Sequence, residues 1–196
     1  MEIGGDRMKN KLAAFMVVLL VLMVASSLHP AIAQDNSSTN PAGVGTRVRS
    51  MIELGSVYTN IYDIAITVLE TVRGKEAMER LKAASPDNKM PPEGFEYVLA
   101  RVKFELKGRN VSDKLSFELG NEPLQWVALS DDLTDYPGVS VVVPKPALVG
   151  RVNAGDSLEG WVAFAVERKD NKPLMVFDPD AGGATGRGRA LFFKLY

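Results

Sequence analysis

The sequence contains no cysteine and one histidine, His29. Without thiols there is no disulfide framework, no thiolate metal site, no cysteine nucleophile and no lipid-modified cysteine at an export junction. His29 lies in a segment read below as a removable leader, so the exported chain would carry no imidazole. That excludes the commonest general base, Ser-His-Asp and Cys-His catalysis, and the usual zinc sites. An excess of one charge is missing too. Twenty-three basic residues face 24 acidic ones in 196 residues, a formal net charge of -1. This is not the basic balance of a nucleic-acid binder, and no nucleic-acid partner is expected. Tandem repeats are absent.

What is present begins with an address. Arg7, Lys9 and Lys11 precede an apolar run from Leu12 to Ala25, and Leu28 is followed by His29-Pro-Ala-Ile-Ala33. A basic start, an apolar stretch and an Ala-x-Ala end describe a secretory signal peptide, with cleavage expected between Ala33 and Gln34. The competing reading is an uncleaved anchor, because the run to Leu28 approaches the length of a spanning helix. In that case the N-terminal segment is the chain's membrane contact. Either way residues 34–196 are expected outside the cytoplasm, secreted or at the cell surface. Loss of residues 1–33 takes the formal charge from -1 to -2. Residues 34–51, rich in Ser, Asn, Thr, Pro and Gly up to Ser50, read as a flexible linker. Asn36-Ser-Ser38 and Asn110-Val-Ser112 fit the N-glycosylation pattern, which arises often by chance; neither is expected to be used.

The rest is built around Glu96 to Gly108. Val98, Ala100, Val102, Phe104 and Leu106 alternate with Arg101, Lys103, Glu105 and Lys107, the period of a strand with one buried and one wet face. Ile52–Val57 reads as a first strand, with Gly55 a bulge or close-approach point. Tyr62–Val72 is a β-branched second strand. After Gly74 the period changes: Ala77, Met78, Leu81 and Ala84 share a helical face, and Ser85-Pro86 stops the helix. The 75–95 insertion is far longer than a hairpin loop; it reads as a helix capping the open end of a sheet, with a functional loop as the alternative. Further strands are expected over Lys114–Leu119, Gln125–Leu129, Val139–Val143 (a sheet edge, closed by Pro144 and Pro146), Ser157–Glu167 with a bulge at Gly160, Leu174–Phe177 and Ala190–Tyr196. Residues 178–189 read as a glycine-rich loop. The sum is an all-β fold, an immunoglobulin-like antiparallel β-sandwich of about eight or nine strands over residues 52–196, with one short helix in an inserted loop.

Leu54-Gly-Ser-Val57, Ile64-Ala-Ile-Thr-Val68, Pro92-Glu-Gly94 leading into Val98-x3-Val102-x-Phe104, the acidic loop before Tyr136 and Gly155-x4-Gly160-x-Val162-x-Phe164-x-Val166 together form a distinctive order. It resembles a large group of exported bacterial and archaeal immunoglobulin-like domains of unknown function, similar to the secreted mycobacterial immunoprotective antigen family (a telomeric-repeat-binding-factor-like family). The resemblance spans residues 52–196. It implies a fold, an extracytoplasmic address and a non-enzymatic character. Two departures stand out: Gln34 replaces the junction cysteine of many members, and the 75–95 insertion is longer and more helical than the usual connection. The matching positions are turns and core, so no functional residue carries over.

The remaining constellations are weak. Asp178-Pro-Asp-Ala-Gly182 begins like a calcium loop, but Arg189 stands where the bidentate Glu belongs. Asp131, Asp132 and Asp135 could gather oxygen ligands. Gly182-Gly183 and Gly186-Arg-Gly-Arg189 lack the lysine and hydroxyl of a phosphate loop. Trp126 and Trp161 read as core, with Trp161 out of phase with Val162 and packed under the 75–95 helix; an exposed Trp161 would instead mark a binding patch. No catalytic residue, cofactor or metal site is expected. The favoured function is an extracytoplasmic domain that binds a protein, a cell-envelope component or another copy of itself, with the Val139–Val143 edge accepting a strand. A structural spacer and a hydrolase using carboxylates alone are the alternatives.

Overall fold

The computed structural model describes residues 35–55, 60–109, 116–120, 125–180 and 186–196. The apolar run Leu12–Ala25, the Asn110 acceptor triplet and Gly182-Gly183 lie outside them. Among the described residues no helix is long and apolar enough to cross a membrane.

Among the described residues the fold is an antiparallel β-sandwich with one short helix. In chain order the elements are β1 (Arg47–Leu54), β2 (Asn60–Arg73), α1 (Lys75–Ala84), β3 (Phe95–Gly108), β4 (Ser116–Leu119), β5 (Trp126–Leu129), β6 (Gly150–Asn153), β7 (Ser157–Glu167), β8 (Leu174–Phe177), β9 (Gly186–Gly188) and β10 (Leu191–Lys194). The large sheet is five-stranded, in the order β7-β3-β2-β1-β9; a three-stranded sheet, β10-β8-β5, and a separate pair, β4-β6, pack against it through the shared core. β3 lies between β7 and β2 and pairs with both over most of its length. Its alternation works as the sequence dictates: Val98, Ala100, Val102, Phe104 and Leu106 are all buried in the core between the layers. There Phe104 stacks on Phe117 of β4 at 5.6 Å and meets Phe177 of β8 at 5.7 Å, while Trp126 of β5 packs on Phe177 at 4.7 Å. Burying each such ring contributes roughly 1.5–3 kcal/mol.

The wet face of the large sheet is divided. Toward β1 it carries ion pairs, including Arg47–Glu105 at 2.9 Å and Arg109–Asp63 at 2.5 Å. Toward α1 it is apolar. A bulge between Val68 and Glu70 shifts β2 by one residue, so Tyr62, Ile64, Ile66 and Val68 face the core while Val72, still even-numbered, faces the helix. Ala77 and Leu81 of α1 close over Val72, Tyr97, Leu99 and Trp161. The insertion is thus a helix laid on the sheet, as its apolar face requires, although Ala84 is exposed.

Four expectations need correction. Residues 35–51 are not a tether. Asn36 is buried and clamps β10 through both atoms of its amide (Nδ2 to Phe192 O, 2.7 Å; Phe192 N to Oδ1, 2.8 Å), Ala42 bridges to Phe193, and β1 starts at Arg47. Composition missed this because one side chain, Asn36, and the backbone of Ala42, not a periodic run, do the docking. Val139–Val143 is not a strand: Val139, Val141 and Val143 do face inward, but no sheet ladder receives them. The edge expected to accept another strand is therefore not a sheet edge. Gly160 carries no bulge, since the β3–β7 register runs unbroken through it. Finally, Gly186–Gly188 forms β9 on β1 within the expected loop, and β6 pairs with β4 where no strand was expected.

A strap-covered cleft as candidate binding site

β5 and β7 are edge strands of different sheets and lie against each other. The chain between β5 and β6 bridges them as a strap, and its anchors explain its course. Tyr136 N donates to Ala128 O of β5 at 2.8 Å, and the Tyr136 hydroxyl donates to Asp170 Oδ2 at 2.9 Å. The Tyr136 ring also meets Phe95 edge-on at 6.1 Å. Burial, reinforced by the Asp170 carboxylate, pushes the Tyr136 hydroxyl up to about 12.

Beyond Tyr136 the strap passes to the outer side of β7, where Val139, Val141 and Val143 pack against the cluster under α1. Asn88 fixes it there: its Nδ2 donates to Val142 O at 2.7 Å and Val142 N donates to its Oδ1 at 2.8 Å. The side chain of a buried asparagine thus does what a strand neighbour would do. The strap then returns across β7, with Trp161 N donating to Pro146 O at 2.9 Å and Leu148 N to Trp161 O at 3.0 Å. This crossing runs over Gly160, where a Cβ would lie 2.5 Å from Ala147 O. Gly160 marks a close backbone approach.

Beneath the strap lies a cleft of about 530 Å³. Trp126, Val127 and Ala128 form one wall, Trp161 to Phe164 another, and strap valines with Leu148 and Val149 the rest; Asp135 is the one charged residue among the described lining. Trp126 is 7% exposed, and its indole Nε1 has no hydrogen-bond partner among the described residues. Trp161 is 8% exposed and carries the Arg80 guanidinium 5.3 Å from its ring. Both tryptophans are core residues, as read from the sequence, and both also line the cleft. A shallower groove of about 510 Å³ lies on the helix side of the strap, between Arg80, Ala84, Val142 and Trp161.

The other flagged residues do not converge here. Asp132 accepts from the Ser130 hydroxyl and from Thr134 N, bonds that hold its carboxyl below its ordinary value. Its oxygens close their own turn. Asp178 likewise accepts from Asp180 N at 3.0 Å. Among the described residues no group of three or more His, Asp or Glu is placed to hold a metal. Sequence reasoning missed Tyr136 and Asn88 as strap anchors. The one available signal was Gly160, a glycine inside an otherwise regular apolar strand.

No protein-family model matches the chain, and neither does any curated protein. Among solved structures it is similar to the crystal structure of a putative lipoprotein from Bacillus subtilis, with a TM-score of 0.45 and 13% identity over 67% of this chain and 35% of that one. The chain thus spans about a third of that protein's length.

Proposed function

We propose that this chain is an exported binding domain that holds its ligand in the cleft beneath the 136–148 strap. The cleft carries the reading. Its volume falls in the range typical of small-ligand sites, and its walls are mainly apolar. Asp135 is the one carboxylate among the described lining. The extracytoplasmic address rests on the leader pattern ending at Ala33. Kinship with the exported immunoglobulin-like domains belongs to the same proposal; what supports it is that Val162, Phe164 and Val166 of the most specific matching segment all pack into the core.

The test uses the full chain, exposed to a small-molecule extract of the envelope of its expressing cells and examined by native mass spectrometry. Wild type takes up a discrete mass, and Val141→Trp, which fills the cleft from the strap, does not. Identical spectra for both proteins with every fraction would sink the reading in favour of a structural spacer.

A further inference from the structure

We propose that the outer face of the large sheet, over β1, β2 and β3, docks on an anionic lipid surface. This face is separate from the cleft and calls on none of its residues.

Charges on the face do not balance. Glu105 lies between Arg47 at 2.9 Å and Lys103 at 3.8 Å, Asp63 holds Arg109, and Glu53 stands opposite Arg187 of β9. Arg101 pairs with Glu159 of β7, and Arg80 of α1 takes up Glu70. Arg49 and Lys107 alternate onto the same face, are exposed, and form no ion pair among the described residues. The sum is three net positive charges, on a chain whose residues 34–196 total -2, which leaves -5 for the rest. Such segregation offers cations to an anionic partner from one side of an acidic domain. The acidic remainder does little to oppose the contact. A second sheet packs about 10 Å behind the first, beyond the Debye length of about 8 Å at physiological ionic strength.

Apolar tips decide between a lipid surface and a soluble polyanion. Met51 is 51% exposed and Ile61 44% exposed. Met51 stands opposite Asp63 and Ile61 opposite Glu53, which makes them diagonal neighbours across β1 and β2 on this same face. A polyanion in water gives such side chains nothing to enter. The boundary between headgroups and acyl chains does, and cations beside apolar tips are the composition that binds there. Export, the address proposed above, brings the chain to a membrane surface.

The test uses residues 34–196, because every residue of the described core lies between Ala42 and Leu195 and this part forms a compact unit of its own. The protein is cosedimented with vesicles of phosphatidylcholine alone and of phosphatidylcholine mixed with phosphatidylglycerol, and heparin serves as the soluble polyanion. Binding is expected to the mixed vesicles only, with release in molar salt. Arg49→Gln with Lys107→Gln should weaken it about 25-fold, roughly fivefold for each cation near the surface. Lys169→Gln with Lys172→Gln makes the same charge change in the β7–β8 turn, beside the opposite end of β3, and should leave binding unchanged. Met51→Ser with Ile61→Ser should weaken vesicle binding at least about fivefold. Urea unfolding confirms that each variant is folded.

Equal binding to both kinds of vesicle, or to neither, overturns the proposal, and so does a loss with Arg49→Gln and Lys107→Gln no larger than in the β7–β8 control. Vesicle binding indifferent to Met51→Ser and Ile61→Ser, with heparin bound through Arg49 and Lys107, overturns the lipid surface in favour of a soluble polyanion. The comparison of lipids and of salt stands on wild type alone. None of these outcomes bears on the cleft, which uptake from extract decides.

Discussion

Ala147 crosses β7 directly over Gly160, so that the place of a Cβ at Gly160 lies 2.5 Å from both the Ala147 carbonyl oxygen and the Leu148 amide nitrogen. Both are backbone atoms, and the crossing is held by bonds on either side of them, from Trp161 N to Pro146 O and from Leu148 N to Trp161 O. Neither can swing aside as a side chain would. The cleft therefore exists because one strand position has no side chain.

Gly160→Ala is expected to lift the 146–148 crossing and to cost roughly 1–3 kcal/mol, the range for overpacking a tight site. Urea unfolding measures the loss. Trp161 fluorescence, shifted to the red as its cover moves, locates it. Unchanged stability and emission would refute the strap's course.

The other end of the strap hangs on Tyr136 and Asp170. Asp170 is 7% exposed and accepts from the Tyr136 hydroxyl at 2.9 Å and from Lys172 N at 2.8 Å. Tyr136→Phe removes one of these donors beside a buried carboxylate, a loss of about 1–3 kcal/mol at neutral pH. The pH dependence has a definite sign. The folded hydroxyl sits at about 12 against 10.0 for the free group, so its stabilisation is complete below pH 10 and is lost as pH rises toward 12. The gap between wild type and Tyr136→Phe in urea titrations should narrow across that window; a constant gap would exclude the bond.

These anchors show what was legible in the sequence and what was not. Alternation along β3 and β7 and the change of period at Gly74 are local patterns, and they placed the central strands and α1 closely. The strap's valines alternate as well, yet alternation reports only a buried face. It does not say whether the backbone finds a ladder, and here Val142 finds Asn88 instead. That contact joins residues 54 apart in sequence, and the Asn36–Phe192 clamp joins residues 156 apart. Single polar side chains acting over such separations leave no periodic trace. The cleft was invisible for the same reason: its walls are core residues from β5 and β7, and only the third dimension separates a core tryptophan from one beside a cavity.

The Asn36 clamp makes two claims checkable at once. Its amide nitrogen, the atom a glycan would need, donates to Phe192 O in a residue 5% exposed. An intact-mass measurement on protein exported from a glycosylating host should show Asn36 unmodified. Asn36→Ala should cost about 1–3 kcal/mol, because it leaves the Phe192 N–H without its partner, while Phe192 O keeps its bond from Ala42 N. Amide exchange at Phe192 would quicken. Full modification of Asn36 in folded protein would contradict the docking of residues 36–42 on β10.

The ion pairs on the open face of the large sheet predict an acid-side response. Arg47 donates to Glu105 at 2.9 Å, and this bond, aided by the nearby Arg47, Lys103 and Arg49 charges against partial burial, holds the Glu105 carboxyl below its ordinary 4.5. A lowered folded value means stabilisation that is complete above 4.5 and fades as pH falls through the folded value. Arg47 is 43% exposed and Glu105 30%, so screening keeps the contribution small, about 0.2–1 kcal/mol. Arg47→Met should lower stability by that amount at neutral pH. The difference should shrink in molar salt and close as the carboxylate protonates. Urea titrations of both proteins at neutral pH and in acid, with and without salt, provide the check. A difference that persists unchanged in acid would mean that Arg47 stabilises β1 through the packing of its stem on the sheet, not through its charge.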